Sequence, residues 1–190
     1  VMRRPMPYLT LLILLAPAAA LAHGVSTEDA GFVAGVEGVH FWPFVYLGAK
    51  HMVTGYDHLL FLAGVIFLLR ELKDVAIYAT LFAIGHSVTL LGAVMAGWHA
   101  NPFLVDAVIG LSVVYKGFEN TGGFREIGWK LDPRAAVLGF GLVHGLGLAT
   151  KLQDFELSRD GLVPNILAFN VGVELGQLLA LSAILIAMAF

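Results

Sequence analysis

Residues 75–98 read VAIYATLFAIGHSVTLLGAVMAGW, an unbroken apolar run with His86 at its middle. As a helix rising 1.5 Å per residue this run reaches about 36 Å, enough to cross the roughly 30 Å hydrocarbon core of a bilayer. The rest of the chain has the same character. Its 190 residues are 58% hydrophobic and only 13% charged, with a mean hydropathy of +0.83, where a soluble domain carries about 25% charge. Four more apolar segments flank the first: residues 41–69, expected to bend near Gly55, then 103–118, the short glycine-rich 135–150, and 162–190. The reading is an all-α, polytopic transmembrane helical bundle with five visible spans, and a sixth expected past Phe190. The lipid bilayer is its first partner.

Ahead of the spans, residues 1–22 have the parts of a signal peptide. Arg3 and Arg4 form a charged start, Leu9 to Leu15 an apolar core, and Ala20-Leu21-Ala22 a cleavage site. Residues 23–39 are then a short extracytoplasmic segment and residues 40–190 the transmembrane domain. Cleavage after Ala22 makes His23 the mature N-terminus, where the α-amine and imidazole chelate one metal ion together; otherwise His23 is an ordinary terminal residue. An outside N-terminus puts Arg70, Lys73, Lys116, Arg125, Lys130 and Arg134 in the cytoplasmic connections, in agreement with the positive-inside rule. The expected location is the inner, cytoplasmic membrane. Trp42, Trp98 and Trp129 fit an aromatic belt at its two surfaces.

Composition also excludes. A net charge of -3 with no basic patch argues against nucleic acid, and no GxxxxGK[ST] loop is present for a nucleotide phosphate. Cysteine is absent, so any metal must be held by nitrogen and oxygen. Adjacent His86 and Ser87 point about 100° apart on a helix and cannot work as base and nucleophile.

What remains is a set of polar residues at the depth of the bilayer centre: His51, Asp57, His58, His86, His144 and Glu174. A charge at a helix centre costs about 2.5 to 3.5 kcal/mol on insertion scales, so intramembrane carboxylates are read as functional. With Lys50 and Lys151 about two turns from the midplane, imidazoles or a bound cation are the available partners. His40, His51 and His58 fall within about 20° of one helix face and span roughly 27 Å, like stepping stones for a cation, if the helix includes His40. Asp57 beside His58 either ligates directly or holds the imidazole in its ligand tautomer. Gly141 and Gly145 bracket His144 in a spacing that brings helices close together. Asn170, Glu174 and Gln177 form one polar stripe at i, i+4 and i+7, which must face protein, water or an ion. Asp106, near the outer end of its segment, is either an interface residue or a collector of cations.

Four strings in order complete the sequence reading: HMVTGYDHLLF at 51–61, FAIGHSVTL at 82–90, FGLVHGLGLA at 140–149 and FNVGVELGQ at 169–177. Together they resemble the HupE/UreJ family, small bacterial membrane proteins encoded with hydrogenase and urease systems and regarded as nickel permeases. The resemblance runs from about Phe41 to the chain end. It implies metal ligation by His51, Asp57, His58, His86, His144 and Glu174, with His23, His40, Asp106, Asn170 and Gln177 along the pathway or behind the ligands. Two departures stand out. Val105-Asp106 replaces a frequent Val-Glu pair, and no large extracellular domain is present.

The expectation is transport of a divalent transition-metal ion, nickel first, with cobalt, zinc or copper also suited to nitrogen and oxygen ligands. Without a nucleotide site, the driving force must come from a gradient or an intracellular sink. The rival reading is a membrane subunit or intramembrane metalloenzyme that retains its ion, keeping three protein ligands and an open water position. Assembly as a homo-oligomer or within a larger membrane complex is compatible with either.

Overall fold

The computed structural model describes residues 27–67, 69, 71–154 and 158–189. The expected signal peptide and His23 lie outside the described residues. Those described are helical or irregular, with no strand among them: α1 (Thr27–Ala34), α2 (Phe41–Thr54), α3 (Tyr56–Ile66), α4 (Leu72–Ala96), α5 (Pro102–Asn120), α6 (Gly123–Glu126), α7 (Pro133–Gln153) and α8 (Leu162–Ala189). Three stretches, Leu72–Ala96, Pro133–Gln153 and Leu162–Ala187, are long and apolar enough to cross a membrane, and α3 is a shorter apolar helix.

Local chemistry explains the boundaries. Asn101 caps α5, its side chain accepting from the amides of Phe103 at 3.0 Å and Leu104 at 3.3 Å, with Pro102 in the first turn. Asp132 does the same for α7, accepting from the Arg134 amide at 2.9 Å ahead of Pro133. This cap, together with continuation through Lys151 to Gln153, makes the helix 21 residues long, where the apolar pattern marked a shorter segment. Gly97 ends α4 in the left-handed conformation at φ 67°, which favours glycine. The run 41–69 is not one helix. Gly55, at φ -75° and ψ 99°, interrupts it for a single residue. The ladder resumes at once, because the Gly55 amide donates to the His51 carbonyl at 3.0 Å and the Leu59 amide to the Gly55 carbonyl at 3.1 Å.

Two helix pairs form the frame. In the α2/α8 pair a Cβ on Gly48 would strike the Phe169 carbonyl oxygen, and one on Gly172 that of Val45. In the α4/α7 pair a Cβ on Gly85 would come 2.5 Å from the Leu138 carbonyl oxygen, and one on Gly145 would strike that of His86. Small residues thus allow backbone-to-backbone contact, the means by which helices gain dispersion energy where lipid removes the hydrophobic drive. Residues 35–40, 97–101 and 158–161 lie at one end of the bundle, the His40 end. Residues 67, 69, 71 and 121–132 lie at the other, the Arg134 end. Trp42, Trp98 and Trp129 are all exposed, the first two at the His40 end and the last at the Arg134 end.

Candidate metal centre

The interruption at Gly55 is what assembles the site. On a continuous helix His51 and His58 would stand about 10 Å apart along the axis, whereas here their ring centroids approach to 4.9 Å, edge to face. His40 does not belong to that face. It lies just before α2, exposed, with its amide donating to Asn165 Oδ1 at 2.7 Å and Nε2 3.1 Å from the Glu37 carbonyl. The stepping stones expected over roughly 27 Å are therefore replaced by a compact cluster with His40 outside it.

α3 begins at the break, so Asp57 and His58 occupy its first turn, both 1% exposed. From α4 comes His86, 0% exposed, and from α7 His144, 1% exposed. His58 lies at the centre, with ring centroids 4.9 Å from His144 and 6.0 Å from His86. Two ligand groups result, one of His51, His58 and His86 and the other of Asp57, His58 and His144. Within each, the ligating atoms all lie within 4.8 Å of one another. Atoms bound tetrahedrally to one ion at about 2.0 to 2.1 Å sit roughly 3.4 Å apart, so rotations closing at most about 1.4 Å are sufficient.

Hydrogen bonds set the tautomers. His58 Nδ1 lies 3.1 Å from Asp57 Oδ1 and His144 Nδ1 lies 2.8 Å from the Phe140 carbonyl. A carbonyl or ionised carboxylate only accepts, so both Nδ1 atoms carry the proton and the lone pair resides on Nε2. This is the orientation that supporting hydrogen bonds give to metal-binding histidines. The donor set of imidazole nitrogens with one carboxylate suits nickel, cobalt, zinc or copper(II) rather than calcium or magnesium.

Glu174 is not brought to this cluster. On α8 the buried residues Ile166, Phe169, Asn170, Val173, Gln177 and Leu181 fill an arc whose edge is Leu181, and Glu174 falls about 20° past that edge, exposed on the flank of the bundle. Gln177 is buried, its Nε2 donating to the Ala79 carbonyl at 2.9 Å, which ties α8 to α4. Asn170 is also buried, and its Oδ1 accepts no hydrogen bond among the described residues. Asp106 pairs with Lys151 of α7 at 3.2 Å.

Sequence reading missed two features. A pocket at the His40 end reaches His51, with Asp29, Lys50, Asn165 and Phe169 among its lining and exposed Asp160 at its rim. On the opposite side of the histidines Phe61, Phe82 and Phe140 form an apolar layer, with centroids 5.4 Å apart for Phe61–Phe82 and 5.6 Å for Phe61–Phe140. Their spacing from His58, His86 and His144, three or four residues in each helix, was the available signal.

Gly55 has a steric role as well as a conformational one. A Cβ there would lie 2.7 Å from His58 Nδ1 and 3.0 Å from the His51 carbonyl oxygen, so Gly55→Ala must push the imidazole off Asp57. We expect nickel affinity in detergent to fall about 10- to 100-fold, the usual cost of losing an orienting partner. Gly110→Ala, where a Cβ meets nothing within 4 Å, is the control. An unchanged titration of the Gly55 variant would contradict this role.

Neither a curated protein nor a solved structure matches the chain. A family model described as HupE / UreJ protein matches residues 27–190, and the chain thus belongs to the HupE/UreJ family, whose members are associated with nickel and cobalt transport and accessory roles.

Proposed function

We propose that the chain carries a divalent transition-metal ion, nickel first, across the cytoplasmic membrane through the His58-centred cluster. The observation carrying this reading is the sharing of His58 by two ligand groups: His51, His58 and His86 on the pocket side, and Asp57, His58 and His144 beside it. An ion passing from one to the other exchanges ligands without losing His58. Shared and exchangeable ligation suits release, whereas retention is served by a single closed set. His51 lines the pocket from the His40 end and is the first ligand an entering ion meets. Asp57 Oδ1 and the Phe140 carbonyl hold Nε2 of His58 and His144 toward the ion, which leaves the second carboxylate oxygen of Asp57 as its ligand atom. The positive-inside rule assigns the Arg134 end, with Lys73, Arg125, Lys130 and Arg134, to the cytoplasm and makes the direction inward. Asn170 supplies a buried amide oxygen on the α8 side.

The test is entry of radioactive nickel into proteoliposomes with cobalt, zinc, copper and manganese as competitors. Saturable entry, inhibited by cobalt more than by manganese, is expected from a nitrogen-rich site. Metal that remains on the protein through chelator washes, with no entry above empty liposomes, would instead favour a metal-holding membrane subunit.

A further inference from the structure

Three helices present the same order of side chains toward the Arg134 end. On α3 it is His58, Phe61, Gly64; on α4, His86, Phe82, Tyr78; on α7, His144 then Phe140. With 1.5 Å per residue, the phenylalanines lie about 5 to 6 Å beyond the histidines, and Gly64 and Tyr78 about 9 to 12 Å beyond them. Phe61 and Phe82 are both fully buried, and Phe140 also meets Tyr115 of α5 edge to face at 5.1 Å. An apolar layer of this kind offers a hydrated cation no ligand.

Immediately past the layer stands a charge that topology alone would put in water. Lys116 is one turn from the end of α5, close enough to extend along the helix to the surface as long basic side chains do. It instead turns inward and is 6% exposed. Its Nζ pairs with Glu119 and lies 5.9 Å from the Tyr78 ring centroid of α4. The stem packs on α3, where a Cβ at Gly64 would meet Lys116 Cγ at 3.0 Å. Asn120 donates to the Gly64 carbonyl at 2.7 Å and fastens α5 to α3 at the same level. Tyr115 Oη, buried here, has no hydrogen-bond partner among the described residues, so the polar cluster is not fully satisfied in this closed arrangement. The pair is largely withdrawn from water, with side chains 8% and 18% exposed, and for such a pair desolvation offsets much of the attraction. Stability is therefore a poor explanation for keeping one here.

We propose that the Lys116–Glu119 pair is the gate on the Arg134 side of the pathway. The Lys116 ammonium is a tethered cation that occupies Glu119, joins α3, α4 and α5 below the phenylalanine layer, and repels a metal ion until the pair moves aside. The proposal rests on the transport reading for its cargo, and the pocket reaching His51 on the opposite side makes the present arrangement open toward one end and shut toward the other.

The test compares the full chain with two variants in proteoliposomes loaded with a nickel-sensitive dye and, separately, a pH-sensitive dye. Lys116→Met with Glu119→Gln removes both charges while keeping volume, and Lys116→Glu with Glu119→Lys exchanges them. The uncharged pair no longer holds α3, α4 and α5 together by its ion pair and should admit nickel about tenfold faster, the change that about 1.4 kcal/mol off a barrier gives. It should also leak protons without nickel, and its equilibrium nickel binding in detergent should stay within about threefold of the original, below the loss from a ligand-supporting residue. The exchanged pair should be as tight to protons as the original. Original rates in the uncharged variant, or equal leak in both, would overturn the gate. Failure of both variants to accumulate would also overturn it, by making the pair a folding requirement. Should the original protein carry no nickel while the uncharged variant alone leaks protons, the gate stands and the cargo reading falls.

Discussion

Replacing His58 by alanine is expected to abolish nickel binding and entry at unchanged membrane abundance, the largest functional loss of any single change in the cluster. The reason is its shared position. Without His58 the two groups are reduced to His51 with His86 and Asp57 with His144, and a two-ligand remnant does not replace a hydration shell. His51→Ala leaves Asp57, His58 and His144 in place, so weaker binding rather than none is expected. Asp57→Asn keeps the shape but removes both a charged ligand and the charge that orients His58 Nδ1, a loss of at least about 10- to 100-fold. Titration of purified variants with nickel, alongside entry assays at equal expression, gives the order. Equal effects of His51→Ala and His58→Ala would dismiss the shared-ligand arrangement.

The second large effect is structural. Gly145→Leu directs a Cβ into the His86 carbonyl oxygen, an obstacle of backbone that no rotamer change removes. Overpacking in a core costs about 1 to 3 kcal/mol when side chains can shift, so the cost here should lie at or above the top of that range. The α4/α7 pair must separate, which also draws His86 and His144 away from His58. We expect strongly reduced abundance in the membrane and a lower Tm in detergent, with Gly139→Ala, whose Cβ meets nothing within 4 Å, close to the original protein. Normal abundance and Tm for Gly145→Leu would show that the backbones are not in contact.

These two expectations also mark what the sequence makes legible. Depth along an apolar helix follows from counting residues, and counting selects His51, Asp57, His58, His86, His144 and Glu174, of which the first five come together. The bend at Gly55 was legible because glycine in an apolar run signals close approach. Rotation about a helix axis is harder to read. The stripe Asn170, Glu174, Gln177 is about 60° wide, and whether its edge is inside or outside depends on which neighbour α8 packs against; glycines 172 and 176 turn it toward α2 and leave Glu174 on the flank. Lys116 escaped for a related reason. A basic residue near a helix end reads as interfacial unless the cavity it enters is known, and Gly64, which makes that cavity, is 52 residues away in the chain.

The place of Glu174 outside the cluster has an energetic consequence. With Asp57 as the lone carboxylate in the two ligand groups, the protein contributes at most one negative charge, so a divalent ion leaves the loaded centre with net positive charge. On the transport reading proposed above, Asp57 stays with the protein and an ion crossing unaccompanied moves both of its charges through the membrane potential. Each elementary charge crossing a membrane exchanges about 2.3 kcal/mol per 100 mV, and two charges exchange about 4.6 kcal/mol, equivalent to a concentration ratio on the order of 10³. On that reading an interior held negative by 100 mV is a driving force sufficient to concentrate the proposed cargo.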